Sequence, residues 1–158
     1  MTTAALPSCP LCAGDGGVVV ACNPHLRVVQ ADEPGFPAFY RVIWNRHVAE
    51  FSDLTLAERD ICMNAVVAVE QALRAELQPT KINLAALGNM VPHLHWHVVA
   101  RFEWDSRFPA PVWAAAQRAV SAGLFADVRA KDKQVHSEIL KNIAAQATNE
   151  RASPRFNP

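Results

Sequence analysis

The segment His93-Leu94-His95-Trp96-His97-Val98-Val99-Ala100-Arg101-Phe102 constrains this chain more than any other. Side chains alternate faces along a β-strand. On a strand, His93, His95, His97, Val99 and Arg101 share one face, and Leu94, Trp96, Val98, Ala100 and Phe102 form the other. The second face reads as core, so the segment needs a sheet around it and a packed layer beneath it. Alternate residues lie about 6.6 Å apart along a strand. Three imidazoles at that spacing can converge on one small ligand, a phosphate or a metal. With 6 His in 158 residues, a chance triplet of this form arises roughly 0.01 times in such a chain. Imidazole is also a poor strand former to repeat three times without use.

A helical signal supplies the second layer. Thr55-Leu56-Ala57-Glu58 has the form of a capping box, in which Thr55 and Glu58 satisfy each other's backbone donors. Beyond it Cys62, Val66, Val69, Leu73 and Leu77 form one apolar stripe, and Gln78-Pro79 ends the helix. Further strands are expected at Val18–Ala21, Leu26–Gln30, Phe39–Trp44 and Lys81–Leu87, with the histidine strand spanning His93–Phe102. Pro111–Val120 reads as a short helix with proline near its start, and Gln134–Ala147 as another. The fold class is therefore α+β: an antiparallel sheet of about five strands, one long packed helix and a C-terminal helical extension. Residues 1–130 form the domain, including the N-terminal cysteine knuckle. Residues 131–158 are a helical or irregular tail of that domain, frayed or docked from Thr148 onward.

Composition bounds the rest. The chain is 51% hydrophobic, which suits one core and excludes disorder. No apolar run reaches the roughly 18–20 residues of a membrane helix. Met1–Pro7 lacks the form of a secretory signal, so the cytoplasm is the expected compartment. Lys plus Arg and Asp plus Glu are both 15, giving zero formal charge. A grip on long nucleic acid usually needs a basic surplus, whereas one small phosphate ester does not.

Two chemistries compete for the histidine face. One is a three-histidine zinc hydrolase. The other is nucleophilic work on phosphorus, because neutral imidazole is a good nucleophile near neutral pH and an adjacent imidazolium can protonate a leaving group. Cys9 and Cys12 form a C-x-x-C, whose readings are zinc, redox chemistry or coincidence. Cys62, and Cys22 likewise, read as buried small hydrophobes. Trp44 and Trp96 read as core, and Trp104 and Trp113 as candidates to cover a pocket. Arg101 is placed either near the phosphate or at a solvated edge.

The run His93-Leu94-His95-Trp96-His97-Val98-Val99 resembles the histidine triad (HIT) pattern His-φ-His-φ-His-φ-φ, with φ apolar. Phe39 to His47 is similar to that family's apolar strand, basic residue and histidine, and Gly88-Asn89 stands where members carry Gly-Gln. The resemblance covers roughly residues 9–102. It implies a nucleotidyl hydrolase or transferase cleaving a nucleoside phosphoramidate or dinucleoside polyphosphate through a covalent histidine–nucleotide intermediate. A phosphorylase and a nucleotide-binding module with little catalysis are the alternatives. It implies that His95 is the nucleophile, that His97 binds the phosphate and assists the leaving group, and that His93 completes the catalytic triad by orienting it. Asp32, Asn83 and Asn89 become candidate substrate contacts. Some members complete a structural zinc site from such a knuckle, here Cys9, Cys12, His47 and His93, with no organic cofactor. A homodimer with joined sheets is also implied. Met90 departs from the pattern, since members often carry Ser or Thr there and a thioether cannot donate a hydrogen bond. Ala85-Ala86-Leu87 likewise replaces a polar, glycine-rich stretch.

Overall fold

The computed structural model describes residues 6–152, with side chains to residue 146. A short helix α1 (Pro10–Ala13) leads into β1 (Val18–Cys22), β2 (Leu26–Gln30) and β3 (Phe39–Trp44). A 3-10 turn (Phe51–Asp53) precedes α2 (Leu56–Leu77). There follow β4 (Lys81–Ala85), β5 (His95–Arg101), α3 (Ala122–Arg129) and α4 (Asp132–Ala152). The strands form one five-stranded sheet in the order β1-β2-β3-β5-β4, and all pairings are antiparallel.

The α2 helix begins where its capping box predicts. The Thr55 hydroxyl accepts from the Glu58 backbone N–H, and the Glu58 carboxylate accepts from the Thr55 N–H. Its end is set by Gln78 in the left-handed conformation, φ 49°, before Pro79. The buried stripe includes Cys62, Val66, Val69 and Leu73. It packs on the sheet face carrying Val28, Tyr40, Val42, Val98 and Ala100. Helix α4 covers the same layer through Val135 and Ile139. Asn142 donates to the Ala68 carbonyl on α2. One layer of two helices therefore closes over one face of the sheet, while the N-terminal knuckle and the segment after β5 cover only part of the other.

Several expectations change. Residues 111–120 are irregular rather than helical. Arg118 holds this segment open by donating to the Glu103 and Phe108 carbonyls, and the Gln117 N–H bonds the Ser106 carbonyl instead of its own helix. The α3 helix was not expected. Its signal is Ser121, whose hydroxyl accepts from the Gly123 N–H as an N-cap. Helix α4 begins two residues earlier than predicted and runs to Ala152. The closing Ser-Pro-Arg-Phe-Asn-Pro and the first residues, 1–5, lie outside the described residues. Strand β4 stops at Ala85, opposite His97, so residues 86 and 87 leave the ladder although β5 runs on to His95. Cys22 is exposed at the end of edge strand β1, whereas Cys62 is buried as expected, with its thiol pushed up to about 11 by burial.

Arg101 is neither a phosphate ligand nor an edge residue. Its guanidinium is buried with the Asp105 carboxylate at 2.6 and 3.1 Å, and it also donates to Asn83 and the Ala110 carbonyl. The Asp105 carboxylate in turn accepts from the Arg107 and Phe108 N–H groups. Removing one partner strands a buried charge. Asp105→Ala should therefore lower stability by about 3–5 kcal/mol, measured by urea unfolding. The double replacement Arg101→Met with Asp105→Leu should recover much of that loss.

Candidate active site and metal cluster

The sheet face opposite the helices carries both features that the sequence singled out. In the β3–β5 ladder His95 lies opposite Ile43 and His97 opposite Arg41. The two imidazoles are neighbours, with ring centroids 4.8 Å apart. The His95 Nδ1–H donates to the His93 carbonyl at 2.6 Å. That bond selects the tautomer with a free lone pair on Nε2. His97 packs edge-on against Phe39 and Trp113. Its buried Nδ1 has no protein partner. Burial, then the charges of His95 and Arg41, push His97 down to about 4. Burial also lowers His95, against the opposing effect of its bond to the His93 carbonyl.

A cavity of about 490 Å³ opens over these rings, lined by Arg41, Asn89, Met90, His95, His97 and Trp113 among others. Such a volume suits a small ligand. Gly88 makes the loop turn at its wall with φ +70°, a conformation open to glycine. A second cavity of about 390 Å³ adjoins it across His97 and Trp113 and is lined by Asn83 and Lys81.

His93 shares the face but not the cavity. Its backbone leaves the ladder, with its N–H donating to the Val91 carbonyl, and its ring is fully buried. The His93 Nε2–H donates to the Trp44 carbonyl at 2.6 Å. Nδ1 then presents its lone pair to Cys9 Sγ at 3.4 Å and Cys12 Sγ at 3.5 Å. Cys12 Sγ is 3.3 Å from His47 Nδ1. The ligand atoms of Cys9, Cys12, His47 and His93 all lie within 4.8 Å of one another. A tetrahedral ion with typical zinc bond lengths puts S and N about 3.6 Å apart. The donor set and the spacing therefore fit one metal ion. The backbone bond from His93 is the kind of second contact that orients a ligating imidazole.

The expected site residues thus divide. Cys9, Cys12, His47 and His93 come together in the cluster, and His95, His97 and Asn89 meet at the cavity. Asn83 faces the adjoining cavity while accepting from Arg101. Asp32 lines neither cavity and points to solvent beside Arg129, 3.4 Å away. Trp113 flanks His97, whereas Trp104 stacks on Phe102 away from the site. Arg41 was missed. The available signal was a lone charge on the apolar strand Phe39–Trp44, in the alternation that faces the histidines.

Comparison with known proteins identifies the family and the fold. Residues 16–104 match the HIT domain. The chain belongs to the HIT family. A histidine triad protein from Bradyrhizobium japonicum superposes with a TM-score of 0.66 at 25% identity, covering 79% of this chain and 92% of that one. A histidine triad protein from Sinorhizobium meliloti gives 0.63 at 22% identity, covering 81% and 90%. A zinc-bound histidine triad family protein from Mycobacterium smegmatis gives 0.58 at 17% identity, covering 92% and 98%. No curated protein matches the chain. Among the described residues, no helix is long and apolar enough to cross a membrane.

The His97 shift has a measurable consequence. A folded-state pKa below the ordinary 6.5 means that the unfolded chain binds more protons between the two values. Stability should fall as pH drops from about 6.5 to about 4 and level off below. His97→Asn should flatten part of that slope in urea midpoints. Imidazole NMR should show the His97 ring neutral down to about pH 4.

Proposed function

We propose that this HIT protein is a nucleotidyl hydrolase or transferase that cleaves a nucleoside phosphoramidate or dinucleoside polyphosphate through a His95–nucleotide intermediate. The observation that carries the proposal is the His95 ring held by the His93 carbonyl, with Nε2 free, in a cavity shared with His97. His95 Nε2 attacks phosphorus. The P–N bond forms as the bond to the leaving group breaks, and the leaving group keeps the electron pair. A phosphate anion beside His97 favours its imidazolium form, which gives the leaving group its proton. Water then attacks phosphorus; the P–O bond forms as the P–N bond breaks, its electron pair returns to His95 Nε2, and the water's proton passes to His97. The His93 carbonyl stabilises the positive charge on the phosphorylated His95 ring. Asn89, at the cavity wall, and Asn83, across His97, are positioned for polar contacts. Asp32 lies outside both cavities and lends the reading no support.

Zinc is the proposed occupant of the Cys9, Cys12, His47 and His93 cluster. With four protein ligands it would supply structure, fixing the knuckle and the start of β5, with no open position for chemistry. No organic cofactor is required. A homodimer formed through the open β4 edge is supported by that strand's terminal place in the sheet and its exposed Leu84. Small nucleotides in the cytoplasm are the proposed substrates, rather than long nucleic acid or a membrane.

His95→Ala should lower turnover of an adenosine phosphoramidate or a diadenosine polyphosphate by several orders of magnitude, with the circular dichroism spectrum unchanged. Retained turnover would end the proposal. Product analysis with and without inorganic phosphate separates hydrolysis from phosphorolysis. Metal analysis should find one zinc per chain, lost in Cys12→Ser together with several degrees of thermal stability. Turnover that requires metal at a site formed by His95 and His97 would favour the zinc-hydrolase reading instead.

A further inference from the structure

The active-site cavity has a cation that neither the triad nor the metal cluster explains. Among the described residues lining it, Arg41 is the one with a permanent charge. It sits directly opposite His97 in the β3–β5 ladder, where opposed side chains on one face have Cβ atoms about 5 Å apart. Its guanidinium carbon lies 5.5 Å from the Phe39 ring centroid, and the His97 ring packs on that same phenyl ring at 5.2 Å. Arginine and histidine are therefore adjacent across one phenyl surface.

The partners of Arg41 leave it available. Nη1 donates to the Gly16 carbonyl at a long 3.3 Å, and Nη2 lies 3.5 Å from the Glu33 carboxylate. Nε is buried and has no partner. By contrast, every nitrogen of the Arg101 guanidinium on the same sheet face is engaged, the two Asp105 contacts being 2.6 and 3.1 Å. Arg101 reads as structural. Arg41 reads as a guanidinium held loosely at a cavity wall, with capacity for an incoming anion. Gly16, whose carbonyl supports it, stands at φ +83° with Leu11 and Ile43 within 3.0 Å of where a Cβ would be. The turn that steadies Arg41 is thus pinned between the knuckle and β3.

We infer that Arg41 is a substrate-binding residue of this site, taking the non-bridging oxygens of the phosphoryl group that His95 attacks, with Glu33 as the internal carboxylate that competes for it. Negative charge builds on those oxygens in the transition state, and a guanidinium presents paired donors to them. The inference rests on the proposed function, and the group that Arg41 takes is the nucleotide phosphoryl group of a phosphoramidate or phosphoric anhydride.

The test uses the full chain, with AMP and adenosine as probes in calorimetry and an adenosine phosphoramidate in turnover. Arg41→Met should weaken AMP roughly 10- to 100-fold, leave adenosine unchanged and lower kcat/KM at least as much. Arg41→Lys should recover part of both. Glu33→Gln should act in the opposite direction and tighten AMP, which a purely structural Arg41 would not produce. AMP affinity and kcat/KM unchanged in Arg41→Met, with turnover still dependent on His95, would overturn the inference and leave the functional reading standing. Wild-type protein that binds no AMP and turns over no substrate would overturn both. A Met variant that fails to fold leaves the decision to Glu33→Gln, where unchanged or weaker AMP binding counts against Arg41.

Discussion

The His93 side chain is the joint on which the site depends. One ring nitrogen donates to the end of β3 at the Trp44 carbonyl, and the other faces the two knuckle cysteines. The backbone carbonyl of the same residue receives the His95 ring. One residue thus couples three things: the approach of the N-terminal knuckle, the register of β5 on β3, and the tautomer of His95. The coupling follows from burial. A fully buried imidazole must satisfy both nitrogens, and here each satisfaction fixes a different element.

Much of this was legible beforehand, for identifiable reasons. The α2 helix announces itself through a local device, the Thr55–Glu58 box, and a long apolar stripe. The five strands follow from short β-branched runs, and the histidine face from alternation alone. The metal cluster was not written in spacing. Cys9 and Cys12 are 84 and 81 residues from His93, and resemblance to a family brought them together.

What stayed hidden was whatever tertiary partners decide. Arg101 looks like any strand-end cation until Asp105 is folded back beneath it. Residues 111–120 contain good helix formers, yet the bonds that Arg118 donates to the Glu103 and Phe108 carbonyls override them. Asp32 has the right position in sequence and a solvent-facing one in space. Arg41 was passed over because an isolated charge in an apolar strand invites no reading until its ladder partner is known.

The sequence distance across the cluster also bears on how the chain assembles. Closing a contact between residue 9 and residue 93 means ordering a loop of more than half the domain, a cost that grows slowly with length but is met only once the sheet exists. Loop closure of that length would favour docking of the knuckle onto a β3–β5 pair already formed. Capture of an ion after that docking would act as a latch on the native side of the folding barrier, slowing opening of the native state more than it speeds its formation.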